Sequence, residues 1–151
     1  MKIKVDVQIA CATENLPTGG RIQQWVEAAL VGNERYDEMV VRIVETEESQ
    51  SLNREYRHRD RPTNVLSFPF EAPPEVGLHY LGDLVICAPV VDQEAVEQGK
   101  PLLDHWSHMV VHGVLHLLGY DHIDTADADK MESREVDILA TLNVGNPYLQ
   151  R

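Results

Sequence analysis

His112-Gly113-Val114-Leu115-His116-Leu117-Leu118-Gly119-Tyr120-Asp121-His122 carries three histidines at spacings of four and six residues. His112 and His116 stand at i and i+4, so on a helix they share one face, with Cβ atoms about 5–6 Å apart. Val110, Val111, Val114, Leu115, Leu117 and Leu118 surround them, which predicts a helix that is largely buried. Gly119 falls where a helix C-terminus favours a residue that tolerates positive φ. A turn there can swing His122 back toward the other two imidazoles. Burying two imidazoles costs several kcal/mol, on the order of a lost hydrogen bond each, unless both are satisfied. Three neutral imidazoles converging in this way make a three-ligand metal site with one coordination place left for water. Zinc is the metal this donor set suits first, one ion per chain.

The spacing His-x3-His-x2-Gly-x2-His matches the metzincin protease pattern with one difference. Metzincins carry Glu directly after the first His, as general base. Here that place is Gly113, which has no side chain to take a proton. The ligand spacing is kept and the peptidase base is missing, which argues against peptide hydrolysis by the usual Glu route.

Working outward, the His-bearing helix is expected from about Leu102 to Leu118. Before it, Pro89 opens a helix that runs to Gln98 and stops at Gly99. After it, Asp124 or Thr125 caps a last helix whose Met131, Ile138, Leu139 and Leu142 form the buried stripe, and Asn146-Pro147-Tyr148 closes the chain. Lys2 to Cys11 alternates, with Ile3, Val5, Val7 and Ile9 on one face, and predicts a half-buried strand. Ile22, Trp25, Val26, Ala29 and Leu30 follow helical spacing up to Gly32-Asn33. Glu38–Glu45 predicts a second strand. Thr46 is the expected N-cap of a helix through Leu52 to Tyr56, with Glu47 and Glu48 in its first turn. Val65–Phe70 and the strongly apolar Leu81–Cys87 supply two more strands, the latter central, and prolines break residues 71–80 into a loop with a mobile tip. Four strands and about five helices in mixed order predict an α+β fold: a small mixed four-stranded sheet packed with helices, as a single compact domain over residues 1–151.

Composition narrows the class. A chain of 151 residues at 43% hydrophobic content suits one domain with a full core. No apolar run approaches the ~20 residues that span a bilayer, and the N-terminal residues lack the apolar run of a signal peptide. Cys11 and Cys87, in strand-like runs, read as buried free thiols of a reducing compartment, so a cytoplasmic location and no membrane partner are expected. The net charge of −12 argues against wholesale binding of nucleic acid.

Against that charge, Asn53-Arg54-Glu55-Tyr56-Arg57-His58-Arg59-Asp60-Arg61-Pro62-Thr63-Asn64 stands out. Four of the thirteen basic residues lie within eight positions. They read either as a solvated helix end answering the C-terminal dipole or as an anion-facing patch, since Arg presents a planar fork of donors suited to phosphate. A metal site together with an isolated Arg patch points to a phosphodiester, with Arg59 and Arg61 as substrate contacts.

HGVLHLLGYDH, together with NREYRHRDRPTNVLSFPF and LGDLVIC, resembles the YbeY family, the metal-dependent single-strand-specific endoribonucleases of ribosomal RNA maturation. The likeness runs in the same order over nearly the whole chain. It implies zinc held by three histidines, here His112, His116 and His122, and an arginine important for RNA cleavage, here Arg57. It implies trimming of the 3′ end of small-subunit rRNA and a part in ribosome quality control. The expected partners are single-stranded ribosomal RNA precursor, the small ribosomal subunit and its assembly proteins. Asn64, where many relatives have Asp, reads as non-catalytic. Asp121 is either a partner orienting a ligating imidazole or a turn residue. No general base is evident, and the nucleophile, water or a ribose 2′-hydroxyl, stays open. Two rivals remain: a non-catalytic ribosome assembly factor with a structural zinc, and a metallohydrolase of peptides or small molecules.

Overall fold

The structure is a computed structural model and describes residues 3–33, 35–70, 79–120 and 124–149. Its elements follow in the order β1 (Lys4–Ala10), α1 (Gly19–Ala29), β2 (Glu38–Val44), α2 (Thr46–Arg57), β3 (Val65–Pro69), β4 (Tyr80–Cys87), α3 (Ala88–Gln98), α4 (Leu102–Leu117) and α5 (Thr125–Thr141). The strands form one sheet in the order β1-β2-β4-β3. β1 with β2 and β2 with β4 are parallel, and β3 with β4 is antiparallel. The expected mixed four-stranded sheet with five helices is present.

Strand alternation divides the sheet into two faces. Met39, Val41 and Ile43 of β2 and Leu84 and Ile86 of β4 are buried in the main core. Val44, Val85, Cys87 and Leu66 form a second, smaller cluster on the other face, where Leu52 of α2 and Val90 of α3 pack. On the main face the core is closed by α4. Its Trp106, Val110, Val111, Val114 and Leu115 have no exposed surface, and burying each stabilises the fold by roughly 1.5–3 kcal/mol relative to leaving it exposed. α1 and α5 flank α4 through Ile22, Trp25, Val26, Met131, Ile138 and Leu139.

Helix α4 lies close against the sheet at Gly113. A Cβ placed there would lie 2.8 Å from one Leu84 methyl and 3.2 Å from a Val65 methyl. The Ser67 hydroxyl donates to the Gly113 carbonyl at 3.1 Å, which ties β3 to the helix at the same level. Position 113 therefore faces the sheet, so a longer side chain there would run into Leu84 and Val65.

Several boundaries differ from the sequence reading. The N-cap of α2 is Glu45 and not Thr46, which is the first helical residue. Glu45 makes no cap bond with its side chain, because that carboxylate accepts from the Ala12 N–H at 2.7 Å. Ile9 shares the inward parity of β1 but is 60% exposed, since β1 is an edge strand and the helical layer stops short of its end. Tyr80, expected in a loop, pairs opposite Glu38 and begins β4. Asp124 caps α5 by accepting from the Asp127 N–H at 2.8 Å. Both cysteines are free thiols, Cys87 buried and Cys11 only partly so. The prolines of the expected loop at Pro73 and Pro74 lie outside the described residues.

Candidate metal centre and cleft

His112 and His116, one turn apart on α4, present their Nε2 atoms to each other at 3.2 Å. Both are partly exposed, while the helix around them is buried. The tautomer of His112 follows from its other nitrogen. His112 Nδ1 lies 2.6 Å from Glu135 Oε1, and an ionised carboxylate only accepts, so Nδ1 carries the proton. In the neutral ring the lone pair is then on Nε2, the atom turned toward His116. A carboxylate that holds the far nitrogen of an imidazole is the usual support of a metal-ligating histidine.

Glu135, on α5, is fully buried and serves two histidines. Its other oxygen accepts from His108 Nε2 at 2.8 Å and from the Tyr148 hydroxyl. Burial pushes the Glu135 pKa up, but the hydrogen bonds from His108 and His112 outweigh it and hold the group at about 2. Burial pushes His108 down, against the pull of Glu135. The Tyr148 hydroxyl is pushed up by burial and by the same carboxylate.

Two donor sets can hold a metal. One nitrogen each of His108 and His112 and one oxygen of Glu135 lie within 4.8 Å of one another. The other set is the Nε2 pair of His112 and His116. In the first set both Glu135 oxygens already accept N–H donors. In the second, His112 turns an unprotonated nitrogen to its partner. The donor chemistry therefore fits a borderline cation at the Nε2 pair, with Glu135 and His108 behind it. His122 and Asp121 lie outside the described residues. Gly119, at φ +104°, makes the turn that leads toward them, a conformation L side chains rarely adopt.

The two histidines open onto a cleft of about 700 Å³. Its walls include Tyr56 and Arg57 from the end of α2, Asn64 and Ser67 around β3, and Tyr120 beyond α4. Arg57 reaches this cleft because α2 ends there: His58 takes the left-handed conformation at φ 60° and stops the helix. Arg54 pairs with Asp60 at 3.4 Å, whereas Arg57 has no carboxylate partner among the described residues. Arg59 and Arg61 are exposed in the following loop and are not part of the cleft wall. Asn64 lines the cleft as an anchor. Its amide donates to Glu94 at 3.2 Å and its carbonyl oxygen accepts from the Val65 N–H at 2.6 Å.

Sequence reasoning passed over Glu135, His108 and Tyr148. A signal was present for the first two. Glu135 falls on the stripe of Met131, Ile138 and Leu139, where an acidic residue is out of place, and His108 continues the His112–His116 row by one turn. Tyr148 gave none, since its contact spans thirteen residues through a turn.

Fold and site together define a small α+β protein with a carboxylate-braced histidine centre beside an arginine cleft. The chain belongs to the YbeY family: a family model described as endoribonuclease YbeY matches residues 8–143. The family places it among hydrolases that cut RNA in ribosomal RNA processing. A protein of Thermotoga maritima, solved in solution, is similar in fold, with a TM-score of 0.55 and 21% identity over 97% of this chain and 96% of that one. No helix among the described residues is long and apolar enough to cross a membrane.

Proposed function

We propose that this protein is a zinc-dependent, single-strand-specific endoribonuclease acting in maturation of the 3′ end of small-subunit rRNA and in ribosome quality control. The observation that carries the reading is the Nε2 pair of His112 and His116, opening onto the same cleft as Arg57. His112, His116 and His122 would hold one zinc, and bound zinc supplies Lewis acidity to a phosphoryl oxygen or an attacking oxygen. Arg57 places its guanidinium against the phosphate and offsets the charge that builds there in the transition state. Arg59 and Arg61, on the exposed loop, receive the flanking backbone. Glu135 keeps His112 in the ligating tautomer. The cleft admits one strand and its substrate is a ribosomal RNA precursor, met in the cytoplasm on the small subunit with its assembly proteins.

A peptidase reading is opposed by Gly113, which faces the sheet. An assembly factor with structural zinc is opposed by the open cleft, since structural sites usually have four protein ligands.

The test is cleavage of an end-labelled single-stranded RNA by wild type beside His116→Ala and Arg57→Ala, each shown to be folded. Wild type is expected to cut, and each variant to lose about 100-fold or more. Equal cutting by all three would assign the activity to a contaminant and overturn the reading. Chelation distinguishes the structural-zinc rival. Here it abolishes cutting and leaves the circular dichroism of the fold in place, because α4 is held by its apolar face. Unfolding on chelation would favour the rival.

A further inference from the structure

We infer that Tyr56 and Phe68 form a base-stacking platform, over which the RNA strand leaves the histidine cleft for a second groove on the opposite face of the sheet. The inference rests on the ribonuclease reading above.

The two rings meet edge to face, with centroids 5.1 Å apart and planes at 72°. Both line the histidine cleft, and both also line a second groove of about 560 Å³. They are thus the saddle between the two. Tyr56 is 59% exposed although it directly precedes Arg57, so a nucleotide with its phosphate at Arg57 has an aromatic surface within reach of its base.

The second groove has the chemistry of a base site and not of a phosphate site. Val40, Leu52 and Val85 give it apolar walls, and Gln8, whose amide also donates to Asp6 at 3.1 Å, adds a neutral hydrogen-bonding group. Its one arginine, Arg42, is held by both oxygens of Glu48 at 2.6 and 2.9 Å. Tyr80 donates to Asp83 on the same wall. No cation is left over there among the described residues. In a chain of net charge −12, the cations offered to phosphate lie in the Arg57–Arg61 segment, outside the lining of this groove. Stacking is the term that remains, and it is tolerant of sequence because every base has a π face.

The experiment compares wild type, Tyr56→Phe and Tyr56→Leu on a single-stranded RNA into which one abasic nucleotide is introduced at successive positions. Loss of one stacked base weakens binding by about 5- to 100-fold. Wild type and Tyr56→Phe should lose that much at one or two positions beside the cut and little elsewhere. Tyr56→Leu keeps the bulk without the ring. It should bind intact RNA more weakly by a similar factor, raise KM more than it lowers kcat, and be indifferent to the abasic position. A 2-aminopurine at the sensitive position should be quenched by wild type and not by Tyr56→Leu. Flat abasic profiles in an enzyme that cuts RNA, or Tyr56→Leu matching wild type, would overturn the platform alone. A wild type that neither binds nor cuts RNA would overturn the ribonuclease reading and the platform with it.

Discussion

Glu135 and His112 meet at 2.6 Å, carboxylate oxygen to Nδ1, across the packed interface of α4 and α5. The contact places a charge in the core, where it is tolerated only because His108, His112 and Tyr148 all bond to it. It also decides which nitrogen of His112 has its lone pair toward the cleft. The stability of the helix pair and the readiness of the metal centre therefore depend on one buried carboxylate.

Replacing that carboxylate separates the two roles. Glu135→Gln keeps the shape but offers one acceptor oxygen where two imidazoles now donate. Zinc affinity, measured by competition with a chromogenic chelator, is expected to fall about 10- to 100-fold. The metal-free protein should lose about 1–3 kcal/mol in urea denaturation for the donor left without a partner. Unchanged zinc affinity beside lowered stability would make Glu135 a purely structural residue.

Gly113 lets α4 lie against the sheet, and an added methyl should show it. Alanine gains about 1 kcal/mol in helix propensity over glycine. Against this, overpacking costs about 1–3 kcal/mol, and both Leu84 and Val65 are buried, so their methyl groups give way only by displacing their own neighbours. Gly113→Ala should be neutral to about 2 kcal/mol less stable in urea denaturation, and Gly113→Glu should not fold. A folded, active Gly113→Glu protein would contradict the close approach described above.

Glu94 gives a pH-dependent test at a distance from the centre. It accepts from His105 Nε2 at 2.9 Å and from Asn64, joining α3, α4 and the start of β3. Burial pushes its pKa up, but the bonds from His105 and Asn64 prevail and hold it below its ordinary 4.5. A carboxylate lowered on folding adds stability that is fully present above its unfolded pKa and is lost as pH falls through the folded one. Wild type should therefore exceed Glu94→Gln by about 1–3 kcal/mol at pH 7. The gap should hold down to about pH 5 and narrow below about pH 4.5. A gap that stays constant to pH 3 would show that the charge contributes nothing.

Much of this protein was legible in its sequence because its local signals agree. Pro89 and Gly99 mark the two ends of α3, Asp124 caps α5, and the period-two run before Cys11 is the strand it predicts. The i, i+4 histidines share a helix face by geometry alone, with no need of tertiary contacts. Arg57 and the histidines could be nominated separately in the same way, by residue type and spacing.

Only the tertiary structure decided what those residues face. Arg57 shares a cleft with His112 because α2 stops at a left-handed His58 and β3 carries the chain back beside α4. Glu135 reaches His112 from another helix, and Tyr148 reaches Glu135 from beyond the end of that helix. Gly113 read as a missing base until packing showed that the position faces Leu84. The physical reason is range. Propensity, capping and periodicity act over a few residues and are written in order along the chain. Tautomer, burial and cleft geometry depend on partners brought together by packing, from residues tens of positions apart.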